Sequence, residues 1–442
     1  MTTARRTFAW IFVAIAILFA PNAALATGPV YTAIVDAGSG GTRLFFYKVT
    51  KAPYPELKLL FKQVVDDVPD ATYQPDDGID NYACPPGSDP AAKAFYATKN
   101  VNPNVMFPLW NGLKAELSAM TPAVNPADVI VKVFATAGMR TASEVCGKAA
   151  VQDLYAVIRA GMTEKGLTNA ANEARTINGA KEEGLWTFIN TNDEYANAFE
   201  RPNHPKPRAP AVGTLEVGGS SIQIVYPIGG GSTDPKAINF KINNRSMTVH
   251  ADSILHLGQD DMRKALRDAR DTSGKPMAYK CWATGFDHLN DVKDEGHKGL
   301  SQDGAFTPPE CQAFMRSYIA QYMPTPLDLT GVTAKFVGLG GVKYTLDAFG
   351  LVADPYSGGN NFNSTVKTRC TAGITTWTSI NTNENVQRAC PHGAYIATLL
   401  SDPARGLFRQ NRQSFERALV PADVNGAALS WVVGYLLLTY SK

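Results

Sequence analysis

The order of apolar and polar positions divides the chain into recognisable pieces. Residues 31–36, Tyr-Thr-Ala-Ile-Val-Asp, form a short apolar run that ends on an acid, the pattern of a buried strand. Gly38-Ser-Gly-Gly41 follows as a tight turn, and Leu44-Phe-Phe-Tyr-Lys-Val49 is rich in strand formers. Together they predict a β-hairpin with a glycine-rich tip. Val129-Ile-Val-Lys-Val-Phe134 reads as a second buried strand and runs into Ala135-Thr-Ala-Gly-Met-Arg140. Residues 149–166 have helical spacing. Residues 66–92 (Asp, Pro and Gly) and 200–212 (Pro) read as surface loops. Trp431-Val-Val-Gly-Tyr-Leu-Leu-Leu438 is apolar but far shorter than the roughly 20 residues that cross a bilayer, so it reads as a buried helix.

One hairpin pattern occurs twice. Ile34-Val-Asp-Ala-Gly-Ser-Gly-Gly-Thr-Arg-Leu-Phe-Phe46 matches Thr214-Leu-Glu-Val-Gly-Gly-Ser-Ser-Ile-Gln-Ile-Val-Tyr226 at a constant offset of 180. Asp36 then corresponds to Glu216, and Gly38 to Gly218. Either two unrelated hairpins share a turn, or two related domains each offer one loop to a common cleft. A glycine-rich turn lets backbone N–H groups converge on an anion, so two facing turns suit adjacent phosphates. The acid before each turn repels bare phosphate. Asp36 and Glu216 therefore either cap their own turns or imply Mg²⁺ or Ca²⁺ held through waters, and their matched positions favour the cation. The chain has no Gly-x4-Gly-Lys-Ser/Thr loop, no His-Glu-x-x-His and no Gly-x-Ser-x-Gly.

Composition narrows the class. With 442 residues, 45% hydrophobic and 19% charged, the chain is globular and long enough for two domains. A formal net charge of +2 excludes the strongly basic profile of a nucleic-acid binder. Arg5 and Arg6, the apolar run Phe8–Ala20 and the small residues of Ala24-Leu25-Ala26 read as a signal peptide over 1–26. General secretion fits better than a twin-arginine signal or an uncleaved anchor, and no stable membrane span follows. Export to the periplasm or the medium makes three disulfides the expectation for the six cysteines. Pairing sequence neighbours joins Cys281 to Cys311 and Cys370 to Cys390.

At these same residues the chain resembles the nucleoside triphosphate diphosphohydrolases, or apyrases. That family's Asp-Ala-Gly-Ser-Ser-Gly-Thr-Arg reads here Asp36-Ala37-Gly38-Ser39-Gly40-Gly41-Thr42-Arg43, with Gly for the second Ser. The second motif is Ala135-Thr136-Ala137-Gly138-Met139-Arg140, and the third Lys181-Glu182-Glu183-Gly184-Leu185-Trp186. The fourth, usually Asp-Leu-Gly-Gly-Ala-Ser-x-Gln, reads Glu216-Val217-Gly218-Gly219-Ser220-Ser221-Ile222-Gln223. Ser253-Ile-Leu-His-Leu-Gly258 is a weaker fifth.

The resemblance implies an α/β actin-like fold: two ribonuclease H-like domains, each a mixed five-stranded sheet flanked by helices, with the active site in the cleft between them. It places 27–178 plus 422–442 in domain I and 179–421 in domain II. It implies hydrolysis of nucleoside tri- and diphosphates by water attack on the terminal phosphate. Glu183 matches the general base, with Thr136, Ser221 and Gln223 orienting the water. Phosphate oxygens would lie against Gly38, Ser39, Gly40, Gly41, Thr42, Ala137, Gly218, Gly219 and Ser220. Arg43 either adds positive charge there or braces the loop. Arg140 reads as a structural ion-pair partner. Tyr344 is the candidate for stacking on the nucleobase, against the simpler reading of a core tyrosine. Glu216 is one methylene longer than the usual Asp, so the metal's water shell must shift or the loop must retract. A sugar-kinase-like phosphotransferase, a polyphosphatase and a non-catalytic nucleotide-binding protein share this fold and are the rival expectations.

Overall fold

The computed structural model describes residues 28–51, 54–65, 78–87, 89–285, 304–351, 362–373, 389–409, 415–416 and 431–441. The expected signal peptide and the expected domain return near 422 lie outside these residues.

Sheet 1 contains β1 (Val30–Gly38), β2 (Gly41–Thr50), β3 (Glu56–Val64), β4 (Ile130–Ala135) and β5 (Glu173–Thr176), in the spatial order β3-β2-β1-β4-β5. β1, β2 and β3 are antiparallel neighbours, whereas β4 and β5 run parallel to β1. Central β1 is covered on both faces, which is why it reads as a continuous apolar run. Edge strand β3 alternates half-buried and exposed positions over much of its length instead.

Sheet 2 contains β6 (Gly213–Val217), β7 (Ser221–Ile228), β8 (Ala237–Ile242), β9 (Arg245–Leu255), β10 (Phe336–Gly340) and β11 (Phe415–Glu416), in the order β11-β10-β6-β7-β9-β8. Without β8, the order and strand directions repeat those of sheet 1. β8 is an addition to the expected five strands. It is joined to β9 by Asn243-Asn244, both at positive φ (46° and 62°), the two-residue turn that suits a twisted hairpin.

Alternation along the strands sends the two sides of sheet 1 into different cores. Ala33, Val35, Leu44 and Phe46 pack with the helices Phe107–Ala119 and Ala137–Glu164. Ile34, Phe45 and Phe134 point the other way, into a cluster shared with Val225, Val249 and Ala251 of sheet 2. The helices Leu185–Glu194 and Trp431–Tyr440 lie in that shared cluster. They touch so closely that a Cβ on Gly434 would sit 1.8 Å from the Trp186 carbonyl oxygen. The apolar C-terminal run is thus a buried helix, as its sequence predicts. The loop expected over 66–92 contains short helices, Asp80–Ala83 and Pro90–Phe95, the second capped by the Asp89 side chain.

All six cysteines are paired: Cys84–Cys146, Cys281–Cys311 and Cys370–Cys390. The two neighbour pairs are those expected. Among the described residues no helix is long and apolar enough to cross a membrane.

Candidate active site

The repeated hairpins have the same register at their tips. Asp36 is opposite Arg43 across β1–β2, and Glu216 is opposite Gln223 across β6–β7. The tips meet. A Cβ on Gly219 would lie 2.3 Å from Ser39 Oγ and 2.3 Å from Asp260 Oδ2, so glycine leaves room for both side chains where they stand. The second tip is braced by the start of the helix Gln259–Asp268: Gln259 N donates to Gly218 O (2.9 Å) and Asp260 N to Gly219 O (2.8 Å). At Gly40 a Cβ would come no nearer than 3.8 Å to Asp260 Oδ2, so the departure from serine there is sterically neutral.

Between the tips is a cleft of about 460 Å³. Asp36, Gly38, Ser39, Gly40 and Arg43 line it from the first hairpin, and Glu216, Gly218, Gly219 and Ser221 from the second. Thr136 and Ala137 line it from the start of the helix Ala137–Glu164, an end that favours an anion. Of the remaining predicted phosphate ligands, Gly41, Thr42 and Ser220 lie outside the lining; Thr42 is fully buried in the hairpin.

Glu183 also lines the cleft. It sits in a π-helical turn, Gly179–Gly184, capped by the Asn178 side chain on the N–H groups of Ala180 and Lys181. Its Oε2 accepts a bond from Arg140 Nη2 at 2.8 Å, and the same nitrogen reaches Ser221 Oγ at 3.0 Å. Arg140 is therefore an ion-pair partner, as expected, and it joins two motifs. Glu182 instead pairs with Arg175 at 2.6 Å and accepts from the Asn178 amide, away from the cleft lining. Gln223 is buried behind the lining, donating from Nε2 to Ser221 Oγ at 2.6 Å. It reaches the cleft only through Ser221. Having accepted two bonds, the Ser221 hydroxyl keeps its proton to donate.

Asp36, Glu183 and Glu216 share this space, and burial shifts all three. It lifts Asp36 to about 6 against the pull of Arg43, whose Nη1 is 3.9 Å away; the Glu183 charge adds to the rise and a bond from Trp431 opposes it. It raises Glu183 against the attraction of Arg140. It lifts Glu216 to about 8, with the Glu183 and Asp36 charges adding to the rise and the Thr187 hydroxyl opposing it. No cation pairs with Glu216 among the described residues. A buried carboxyl left without a cationic partner fits a place beside a divalent ion. No three His, Cys, Asp or Glu side chains among the described residues are placed to hold one directly.

Tyr344 is 63% exposed at the cleft rim, not in the core, and Lys343 Nζ lies 5.4 Å from its ring centroid. It follows a third glycine turn, outside the motifs described above, where β10 ends at Gly340 (φ 56°) and Gly341. A Cβ on Gly340 would meet Val217 O at 2.6 Å. The sequence signal for it is Phe336-Val-Gly-Leu-Gly-Gly341, an apolar run ending in paired glycines. Lys62, Asp260 and Trp431 also line the cleft.

Two matched α/β halves with glycine-rich tips meeting over a cleft define a two-domain actin-like fold. The chain belongs to the GDA1/CD39 (nucleoside phosphatase) family, which it matches over residues 23–442. An ectonucleoside triphosphate diphosphohydrolase 8 from Bos taurus is 22% identical over 447 residues, spanning 91% of this chain and 81% of that one. The crystal structure of a nucleoside triphosphate hydrolase from Neospora caninum superposes with a TM-score of 0.52 at 16% identity, covering 94% of this chain and 93% of that one. A PPX-GPPA enzyme from Aquifex aeolicus superposes at 0.44, with 13% identity and coverage of 92% and 99%.

Proposed function

We propose that the protein is an exported, divalent-metal-dependent hydrolase of nucleoside tri- and diphosphates, releasing phosphate and ending at the monophosphate. The observation that carries this reading is the meeting of the two repeated tips over a cleft that also holds Asp36, Glu183 and Glu216. Three disulfides and the leader-like first 26 residues support export.

Amides of the two tips and of Ala137 bind the phosphate oxygens. Thr136 and Ser221 orient a water in line with the terminal phosphorus, and Gln223 holds Ser221. Glu183 takes the water's proton as the new P–O bond forms, and the bond from phosphorus to the bridging oxygen breaks. The leaving nucleotide keeps that oxygen. Burial above the ordinary carboxylate range brings Glu183 nearer the working pH of a general base. Asp36 and Glu216 would hold Mg²⁺ or Ca²⁺ through waters, and the ion would supply positive charge against the phosphates. Tyr344 stacks on the base. The chain passes from domain I to domain II near residue 178 and returns near 422.

A phosphate-release assay on ATP, ADP, AMP and tripolyphosphate with Mg²⁺, Ca²⁺ or EDTA tests this. Release from ATP and ADP that stops at AMP and ceases in EDTA is expected. Release from tripolyphosphate alone would install the polyphosphatase, and ATP consumption that needs a sugar acceptor and yields sugar phosphate in place of free phosphate the kinase-like reading.

A further inference from the structure

Glu216 differs from its counterpart Asp36 by one methylene, and the structure shows what takes up the extra length. Its backbone is fixed on both sides, by Gln223 of β7 and Leu339 of β10. Only side-chain torsions decide where its carboxylate lies. Thr187 Oγ1 donates to Glu216 Oε2 at 2.9 Å. Thr187 is 1% exposed on the helix Leu185–Glu194 and does not line the cleft. It stands one helical turn beyond Glu183, on the segment that also carries the candidate base. Among the described residues Asp36 has no such hydroxyl; its neighbours are Arg43 and Trp431.

We infer that Thr187 is a positioning residue that holds one oxygen of Glu216 against the helix Leu185–Glu194 and so sets how far this carboxylate reaches towards a divalent cation. This deepens the proposed function and rests on its assignment of Asp36 and Glu216 to the ion. A hydroxyl donor suits this role, because it fixes an ionised oxygen without adding charge, and its β-branched side chain has few rotamers on a helix. An untethered glutamate would sample several torsional states, and ordering it would weaken ion binding. The orienting partners of metal-site carboxylates generally carry a large share of affinity.

The test is the Mg²⁺ titration of thermal stability, started in EDTA, in wild type, Thr187→Val, Thr187→Ala, Thr187→Ser, Glu216→Asp and the double variant Glu216→Asp/Thr187→Val. Far-UV circular dichroism in EDTA reports folding independently. Thr187→Val and Thr187→Ala should raise the half-saturating Mg²⁺ concentration about tenfold, the lower end expected for loss of an orienting partner. Thr187→Ser should titrate near wild type. In the Glu216→Asp background the shorter carboxylate no longer reaches the hydroxyl, so adding Thr187→Val should change nothing. Folded Thr187→Val and Thr187→Ala proteins that titrate as wild type would overturn the inference. So would the same shift in the Glu216→Asp background, since Thr187 would then act on something else. A wild type that shows no Mg²⁺-dependent stabilisation, matched by Glu216→Gln, refutes the ion assignment itself.

Discussion

Glu183 and Glu182 are adjacent in sequence and chemically identical, yet their surroundings divide their roles. Glu182 is committed to Arg175 and the Asn178 amide, whereas Glu183 faces the cleft beside Arg140 and Ser221. Glu183→Ala should lower kcat by roughly 10²–10⁴-fold in a phosphate-release assay while nucleotide binding persists; Glu182→Ala should show its effect in the melting temperature instead. The raised carboxyls give a pH signature. Glu216 and Asp36 are favoured in their neutral forms in the folded state, at about 8 and about 6 against ordinary values of 4.5 and 3.8. The stability they contribute is complete below those ordinary values and is lost as pH rises through the folded ones. In EDTA the melting temperature should therefore fall between pH 5 and 8. Glu216→Gln should flatten the upper part of that fall, and Mg²⁺ should reduce it by compensating the ionised carboxylates. Asp36, Glu216 and the tip glycines were legible in the sequence because the motif repeats at a fixed offset, whereas Glu183 and Ser221 were legible only through the resemblance to the apyrase motifs. Gln223 acting through Ser221, and Thr187 tethering Glu216, were not, because hydrogen bonds between elements leave no local pattern.

The hairpin tip is the element on which the site depends. Its geometry is legible because tight turns restrict residue choice: an acid, glycines and a hydroxyl between two apolar strands specify both fold and chemistry. Gly219→Ala tests the tip directly. The added methyl would crowd Ser39 Oγ and Asp260 Oδ2, so both side chains must turn away from the tip. At least a tenfold loss of kcat/KM, with far-UV circular dichroism unchanged, is the expected outcome; the inverse result, a native rate, would mean the site does not need both side chains where they stand. Tyr344 belongs to the third turn. Tyr344→Ala should raise the KM for ATP about tenfold, on the scale of one lost base–aromatic stack. The β8 addition was not legible, because Asn243-Asn244 supplies turn residues without the glycine that usually marks a hairpin.

For the molecule as a whole, the two sheets share one apolar cluster through the helices Leu185–Glu194 and Trp431–Tyr440, so cleft geometry and stability are linked. Disulfides reinforce each side. The Cys84–Cys146 bond closes a separation of 62 residues, which by loop-closure entropy is worth up to about 4 kcal/mol. Replacing both cysteines with serine should lower the denaturant midpoint by a corresponding amount without altering substrate preference. Two related halves were readable from one repeated motif, whereas their mutual orientation depends on packing that no motif encodes. Function on this reading requires both tips to grip one phosphate chain. A structure of the protein with Mg²⁺ and a non-hydrolysable ATP analogue would show whether they do. The expected result is a triphosphate bonded by amides of both Gly38–Thr42 and Gly218–Ser221, with its terminal phosphorus nearest Glu183. A nucleotide held by one tip alone, or bound outside this cleft, would refute the shared grip.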